Sequence, residues 1–371
     1  MYNCTDKKKI LINGLSNNNG GIETVILNYC EIIVSYGYSV DFISYDETLA
    51  QMERIQKWDS KIIKITNRNN SFIKYYNDIK KVLSTGEYDI VWDNRDSLAN
   101  LIFLSLAKRM GIHKRILHAH TSHNLGGKLK GYMHVINRNL LENIATDYWA
   151  VSKMASKYFF SKVNDKNIKI VPNCIDYSHF YYNEELRKKI RLENNFSKKD
   201  KILLMVGALT YPKNQAHMIL TFKHLKNNTS ESWKLIIIGS GADKNELLDL
   251  CIREDINDVY FMGMVNNVNE WLSAADVYAM TSFNEGLPVA LIEAQVSGLP
   301  CIISDTISTE AIISSNVYRV SLSTEYRKWA DIIIKAQKNH SRNIGDNISD
   351  KFDINKQKEL LWSFLISAKE G

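Results

Sequence analysis

Two glutamates flank a short glycine turn in the stretch VYAMTSFNEGLPVALIEAQVSGLPCII, which begins at Val277. Glu285 directly precedes Gly286, and Glu293 follows further along the same stretch. Such carboxylates can bind hydroxyl groups or exchange protons, and backbone N–H groups at the start of a helix bind anions. The spacing alone also allows a second interpretation, in which Glu285 only interacts with the dipole of a helix.

The elements that must position these groups can be read from the same stretch. Val277 to Met280 is apolar throughout, which is typical of a buried strand. Pro288 has the fixed φ that suits the first residue of a helix, and Gly298 with Pro300 ends that helix. A strand, a loop and a helix therefore place the backbone amides of residues 284–287 at a helix N-terminus, where anions bind.

The start of the chain shows the same alternation. Lys9 to Asn13 reads as a strand, Thr24 to Tyr36 as a helix and Val40 to Ser44 as a strand, which predicts a parallel α/β sheet. Further helices are predicted over Phe72 to Leu83 and Leu98 to Met110. No GxGxxG motif follows the first strand, so a nicotinamide cofactor is disfavoured. Gly20 and Gly21 allow close approach of a ligand to the backbone, or they only form a tight turn.

The chain length and the restart of this pattern predict two domains. With 371 residues, the chain exceeds one typical core. The strand and helix alternation pauses after Asn173 and restarts at Ile202, so we expect an N-terminal domain over 1–174 and a C-terminal domain over 175–352. Two parallel sheets in tandem imply a ligand cleft between the domains.

Composition excludes several functional classes. A net charge of +6 is too weak to indicate a nucleic-acid partner. The five cysteines are scattered without metal-binding spacing, which favours reduced thiols in a cytoplasmic protein and predicts no metal site. No stretch approaches the ~20 apolar residues of a membrane-spanning helix, so any membrane contact is expected to be peripheral.

A basic region lies between Leu101 and Leu140, where no Asp or Glu occurs. Its lysines, arginines and five histidines alternate with apolar side chains, so it forms either a solvated face or a surface that rests on anionic lipid. His120 follows a predicted strand, where it could bind a sugar hydroxyl or a phosphate. The spacing of His118 and His120 is only weak support for zinc.

The order of several short motifs resembles a family-4 retaining glycosyltransferase of the GT-B fold, and in particular the EpsF-like enzymes of bacterial capsules and exopolysaccharides. The resemblance covers almost the whole chain. The motifs are Gly20-Gly21-Ile22-Glu23, Val171-Pro172-Asn173, Val206-Gly207, Pro212-Lys213-Asn214, Gly239-Ser240-Gly241, Ala274-Ala275-Asp276-Val277 and Glu285-Gly286-Leu287-Pro288, with Glu285 and Glu293 forming the Glu-x7-Glu signature.

The resemblance implies an α/β fold with two Rossmann-like domains that face a cleft, and a terminal helix, 353–371, that packs on the N-terminal domain. It implies transfer of a sugar from a nucleotide sugar, with UDP as the commonest carrier, to a saccharide acceptor. Neither a metal ion nor another cofactor is expected. The basic region adds a lipid-linked acceptor and contact with the inner face of the plasma membrane to these expectations.

Roles for individual residues follow from the resemblance. Glu285 is expected to contact the donor sugar, Lys213 to neutralise the departing diphosphate, and His120 to lie beside the reacting sugar on the acceptor side. Glu293 is expected to bind the ribose hydroxyls. The remaining donor-binding residues are expected to be Gly286, Leu287, Pro288, Gly20, Gly21, Gly207, Gly239 and Met264.

One departure from the family pattern keeps an alternative open. The family commonly has an arginine where this chain has Ala208, so Lys213 would hold the diphosphate alone or with another basic residue. The alternative is a non-catalytic GT-B subunit that binds and stabilises a partner glycosyltransferase. A sugar-nucleotide epimerase of the same fold is disfavoured by the spacing of Glu285 and Glu293.

Overall fold

The computed structural model describes residues 8–17, 21–49, 51–124, 127–339, 342 and 348–366. These residues form two compact units. The described parts of Met1–Cys174 and Ile354–Gly371 make unit 1, and Ile175–Asp353 makes unit 2. Among the described residues, no helix is long and apolar enough to cross a membrane.

Unit 1 is built on a seven-stranded sheet whose strands are all parallel. The strands are β1 (Lys9–Asn13), β2 (Ser39–Ser44), β3 (Ile62–Lys64), β4 (Ile90–Arg95), β5 (Lys114–Ala119), β6 (Asp147–Ala150) and β7 (Ile168–Ile170). Their order across the sheet is β3-β2-β1-β4-β5-β6-β7. The chain therefore builds outward from β1 in one direction and then, from β4, in the other.

Six helices of unit 1 lie between these strands. They are α1 (Gly21–Ser35), α2 (Met52–Gln56), α3 (Phe72–Leu83), α4 (Ile102–Arg109), α5 (Lys128–Asn137) and α6 (Lys153–Phe160). Helix α4 is shorter than the predicted span of Leu98 to Met110, because a hydrogen-bonded turn precedes it. The Asn100 side chain accepts the Ile102 N–H, and the Leu98 N–H donates to His134 Nδ1 at 3.0 Å.

Unit 2 repeats the plan with a six-stranded parallel sheet. Its strands are β8 (Lys201–Val206), β9 (Trp233–Ile238), β10 (Val259–Gly263), β11 (Val277–Met280), β12 (Cys301–Ser304) and β13 (Val317–Val320), in the order β10-β9-β8-β11-β12-β13. Relative to its own first strand this is the order 3-2-1-4-5-6 of a Rossmann fold, and the first six strands of unit 1 have the same order. The predicted pair of parallel α/β sheets is confirmed.

The helices of unit 2 are α7 (Glu184–Glu193), α8 (Gln215–Asn227), α9 (Lys244–Arg253), α10 (Val268–Ala274), α11 (Val289–Val296) and α12 (Tyr326–Lys338). Strand β13 and helices α10 and α12 were not among the sequence predictions. Pro288 precedes α11 as its N-cap residue, with φ −75° and ψ 101°, instead of forming the first helical residue.

Asp276, which directly precedes β11, connects helix α7 to strand β8. Its carboxylate accepts hydrogen bonds from the guanidinium groups of Arg187 and Arg191, each at 2.7 Å. The same carboxylate accepts the backbone N–H of Ile202 at 2.8 Å. The aspartate of the Ala-Ala-Asp-Val motif thus holds the unit together, because its removal would leave two largely buried arginines without their counter-charge.

The last helix, α13 (Ile354–Ile366), belongs to unit 1 and packs beside α1. The Trp362 ring stacks on Tyr36 with ring centroids 4.3 Å apart. Lys114 Nζ donates to the carbonyl oxygens of Phe364 and Leu365 at 2.9 and 2.6 Å, which satisfies acceptors at the end of the helix.

Candidate functional site

The carboxyl ends of the central strands locate the candidate sites. In an open parallel sheet, ligands bind beyond these ends, at the point where successive connections leave in opposite directions. In unit 1 this point lies between β1 and β4, and in unit 2 it lies between β8 and β11. The topology therefore selects the segments that follow Asn13 and Arg95 in unit 1, and Val206 and Met280 in unit 2.

A lysine–glutamate pair occupies the switch point of unit 2. Lys213 Nζ lies 2.6 Å from Glu285 Oε1 and 2.8 Å from Oε2, so it bridges both carboxylate oxygens. Ser282 Oγ donates a further hydrogen bond to Oε1 at 2.6 Å. Glu285 is nearly buried, whereas Lys213 keeps 29% of its side-chain surface exposed. Lys213 can therefore contact a ligand while Glu285 holds it in place.

Two loops carry this pair, and hydrogen bonds join the loops. Lys213 ends a single 3-10 turn (Tyr211–Lys213) after β8, and Glu285 lies in the loop after β11. The Phe283 N–H donates to the Pro212 carbonyl at 2.8 Å, and the Thr281 hydroxyl donates to the Asn214 carbonyl at 2.8 Å. The long-range pairing of Lys213 with Glu285 thus rests on backbone contacts as well as on charge.

The start of α11 presents free donors beside the pair. Within the described residues, the N–H groups of Gly286, Val289 and Ala290 have no hydrogen-bond acceptor, as expected before and within the first turn of a helix. These donors and the positive end of the helix dipole favour a bound anion. Leu287 and Pro288 are buried and fix the course of the chain into the helix.

Glu293 lies in the fifth position of α11 and is 9% exposed. Among the described residues, its carboxylate has no hydrogen-bond donor or cation as a partner. Burial raises its pKa to about 7, from an ordinary value of 4.5. The nearby hydroxyl of Tyr278 is also buried, and burial together with the two glutamates raises the pKa of that phenol. An uncompensated buried carboxylate is suited to accepting hydrogen bonds from a ligand.

The predicted glycines of unit 2 have distinct structural reasons. Gly239 has φ +140°, and a Cβ there would lie 1.9 Å from the Gly207 carbonyl oxygen, so only glycine fits between β8 and β9. At Gly207, an added Cβ would be in ordinary van der Waals contact with the Lys213 side chain, at 3.8 Å. Met264 follows β10 with 59% of its surface exposed.

In unit 1 the structure describes a hydrogen-bonded chain that includes His120. Asn94 donates to the Asn13 carbonyl at 3.1 Å, so its carboxamide oxygen faces His120 Nε2 at 2.9 Å. Nε2 must therefore carry the proton, which leaves Nδ1 as an acceptor. Nδ1 is buried and unpartnered among the described residues. Burial lowers the pKa of His120 to about 3, so the ring is neutral at physiological pH.

Sequence reasoning missed the neighbouring pair of Asp93 and Arg95. Arg95 Nε lies 2.8 Å from Asp93 Oδ1, and Asn13 donates to the same oxygen at 2.7 Å. Burial raises the pKa of Asp93, although Arg95 opposes the shift. The available signal was the charged Asp and Arg in the second half of β4, whose first three residues are apolar, because parallel strands of this kind are usually apolar on both faces.

The basic region is less uniform than its composition suggests. His118, His120 and His134 are buried, and burial lowers the pKa of each, so they add no charge to a surface. Lys130 forms an ion pair with Asp96 at 2.8 Å. Helix α5 nevertheless exposes apolar side chains beside Lys128; they are Leu129, Tyr132, Val135 and Ile136, exposed by 76, 68, 55 and 43%.

The predicted site residues thus fall into three groups. The structure brings Lys213, Glu285 and the start of α11 together in unit 2, and it places His120 at the strand ends of unit 1. Gly21 is the first residue of α1, and Gly20 lies outside the described residues. Met264 lies exposed after β10, and the ligand roles of all these residues stay predictions.

Solved structures with the same architecture identify the class of this fold. Anabaena HepE, crystallised with UDP and glucose, aligns with 97% of this chain and 100% of its own at a TM-score of 0.82, with 18% sequence identity. At that identity the likeness concerns the fold alone. Two Rossmann-like units of this kind form the GT-B glycosyltransferase fold, so the predicted fold is confirmed.

Family models identify both halves of the chain. The model described as "Glycosyltransferase Family 4" matches residues 19–179, and the model described as "Glycosyl transferases group 1" matches residues 187–351. Both models describe glycosyltransferases, and one matches each half of the chain. The chain therefore belongs to the family-4 glycosyltransferases, as the motif order predicted.

Several curated proteins are similar in sequence to most of this chain or to part of it. The putative glycosyltransferase EpsF of Bacillus subtilis is 28% identical over 86% of this chain and 85% of its own. The amylovoran biosynthesis glycosyltransferase AmsD of Erwinia amylovora is 26% identical, with 81% of each chain covered. An Escherichia coli UDP-Gal:α-D-GlcNAc-diphosphoundecaprenol α-1,3-galactosyltransferase is 29% identical over 41% of this chain and 40% of its own.

Proposed function

We propose that this chain is a metal-independent, retaining glycosyltransferase that moves a sugar from a UDP-sugar to a lipid-linked saccharide. The product would extend a bacterial surface polysaccharide, on the cytoplasmic side of the membrane. The observation that carries the proposal is the pair of Lys213 and Glu285 beside the free N–H groups at the start of α11. The UDP-bound HepE structure and the named polysaccharide relatives support the choice of substrates.

The donor end of the site is suited to a departing diphosphate. As the bond between the anomeric carbon and the phosphate oxygen breaks, its electron pair stays on the UDP. Lys213 and the amides of Gly286 and the first turn of α11 stabilise this charge, which is the task that a metal ion has in other transferases. Glu285 orients Lys213, since its two oxygens fix the ammonium group, and Glu293 accepts hydrogen bonds from the ribose hydroxyls.

Retention follows from attack on the face that the diphosphate leaves. The acceptor hydroxyl oxygen bonds to the anomeric carbon on that face, and its proton passes to an oxygen of the leaving phosphate. Glu285 is not assigned as the base, because Lys213 and Ser282 already occupy its carboxylate. His120, neutral and with Nδ1 free to accept a hydrogen bond, positions a sugar hydroxyl and adds no positive charge.

The acceptor is proposed to reach the protein from an anionic membrane. Helix α5 has the exposed apolar side chains and the adjacent lysine that an interfacial helix needs. Its inner side is anchored through His134, which accepts the Leu98 N–H and lies 3.2 Å from the Tyr158 carbonyl oxygen. A helix anchored in this way can rest on lipid without unfolding.

Replacing Lys128 with glutamate is expected to weaken binding to phosphatidylglycerol vesicles about tenfold, because each basic residue near an anionic surface contributes ~1 kcal/mol and the reversal adds repulsion. Co-sedimentation measures the effect. Lys198→Glu, an exposed position in unit 2 with the same change of charge, is the matched control and should bind as the wild type does. If Lys128→Glu binds as tightly as Lys198→Glu, or if the wild type does not bind, α5 is excluded as a membrane surface.

Product stereochemistry tests the proposed reaction. Incubation of the purified protein with an α-linked UDP-sugar should release the α-anomer first when water replaces the acceptor, as followed by proton NMR before mutarotation. The rate should be unchanged by excess EDTA, because Lys213 supplies the charge. Initial release of the β-anomer would refute retention, and loss of activity that Mg²⁺ or Mn²⁺ restores would refute metal independence.

A further inference from the structure

An exposed aromatic pair borders the lysine–glutamate pair of unit 2. The rings of Tyr211 and Phe283 lie with their centroids 5.1 Å apart and are inclined by 32°. Their residues are 75% and 40% exposed, so both residues are accessible to a ligand. Among the described residues, neither ring contacts any other aromatic side chain.

Tyr211 and Phe283 lie on the same two loops as Lys213 and Glu285. Tyr211 stands two residues before Lys213, and Phe283 stands two residues before Glu285. Two residues span at most about 7 Å, so the Cα atom of each aromatic residue lies within about 7 Å of the Cα atom of the charged residue on the same loop. The hydrogen bond from the Phe283 N–H to the Pro212 carbonyl joins the two loops next to both aromatic residues, which keeps the two rings beside each other.

We propose that Tyr211 and Phe283 form a platform on which a pyranose ring stacks at the reaction centre. A pyranose has one face of C–H groups, which is apolar enough to cover exposed aromatic carbon while its hydroxyls reach polar groups at the rim. Lys213 binds the diphosphate in the proposed function, on which this inference rests. The donor sugar is bonded directly to the β-phosphate of that diphosphate, whereas the base is separated from the β-phosphate by the α-phosphate and the ribose.

The same chemistry would suit the sugar of the acceptor, which must meet the donor sugar at this point. A competing explanation is that the rings only fasten two loops, which an aromatic pair can do with about 0.5–1.5 kcal/mol. Substitution by leucine separates these explanations. Leucine keeps an apolar contact between the loops but lacks the flat face that a sugar ring requires.

Saturation-transfer NMR tests the platform with UDP-glucose, UDP-galactose and UDP-N-acetylglucosamine as probes. In the wild type, both the uracil protons and the pyranose ring protons of a bound probe should receive saturation. In Tyr211→Leu and Phe283→Leu, we expect the pyranose signals to fall at least threefold relative to uracil, which serves as an internal reference. Phe283→Tyr should restore them, and Tyr181→Leu, an exposed tyrosine elsewhere in unit 2, should change neither.

A second arm identifies the source of the ring. The same variants are examined with UDP present and methyl glycosides of the three sugars as acceptor probes; loss of signal there alone assigns the platform to the acceptor. Unchanged pyranose signals in both arms would overturn the inference while leaving the proposed function intact. Absence of any uracil saturation in the wild type would instead show that UDP does not bind, and both would fail.

Discussion

Lys213→Ala is expected to lower turnover by about two to three orders of magnitude, with a change of less than tenfold in affinity for UDP. The reason is that charge on the leaving diphosphate grows as its bond breaks, so the ammonium group stabilises the transition state more than the ground state. Removing one group that stabilises such charge typically costs about 3–4 kcal/mol. Steady-state kinetics with the preferred donor, together with calorimetric binding of UDP, measures both quantities.

Two comparisons keep this prediction specific. Removal of Lys213 leaves the nearly buried Glu285 with Ser282 as its one remaining hydrogen-bond partner in the described part of the chain, so thermal unfolding must show that the variant folds. Lys213→Ala combined with Glu285→Gln removes the stranded charge and should recover stability but not turnover. Lys198→Ala, at an exposed position, should behave as the wild type. A rise in KM with unchanged kcat would count against a role in the transition state.

Glu293→Gln is expected to have opposite effects on stability and on binding. At pH 8 the free variant should be more stable than the wild type by about 3 kcal/mol, because a carboxylate with a pKa of about 7 is costly to ionise in the fold. Affinity for UDP should fall roughly 10- to 150-fold, since a hydrogen bond to a charged group is worth about 1.5–3 kcal/mol. Urea unfolding and calorimetry measure the two effects, with exposed Glu246→Gln as the control.

The raised pKa of Glu293 fixes the direction in which stability and UDP affinity change with pH. The folded protein holds the Glu293 proton more tightly than the unfolded chain, so its contribution to stability is complete below pH 4.5 and is lost as the pH rises to about 7. Affinity for UDP should change in the other direction and increase through the same range, because the ribose hydroxyls require the ionised carboxylate. A glutamine variant with the pH profile of the wild type would contradict the assignment.

Local pattern was sufficient for the central elements of both sheets. Lys9–Asn13, Phe72–Leu83 and Val277–Met280 have the predicted bounds, because each combines a clear apolar period with a turn or cap residue at its ends. Strand β13, Val317–Val320, was missed because four residues with an arginine give little alternation to detect. Helix α4 was overextended, since the turn at Asn100 depends on side-chain hydrogen bonds that no period reveals.

The candidate site could be predicted only in part. The motif order identified Lys213 and Glu285 separately, but their direct pairing joins residues 72 positions apart and follows from the neighbouring positions of β8 and β11. The contact of Asp93 with Arg95 is local to β4, and it was missed although the two charged residues at the end of that strand were visible in the sequence. The basic region was read as one surface, yet His118, His120 and His134 point into the protein, because composition alone does not tell which side of a helix or strand is buried.

Slow hydrolysis of the donor tests whether this chain cleaves a nucleotide sugar in the site that contains Lys213 and Glu285. The purified protein is incubated with a panel of UDP-, GDP- and ADP-sugars, and released nucleotide is measured for the wild type and for Lys213→Ala. We expect the wild type to cleave one UDP-sugar and Lys213→Ala to leave it intact. UDP binding without cleavage, even with lipid-linked acceptors added, would contradict the claim and favour a non-catalytic subunit.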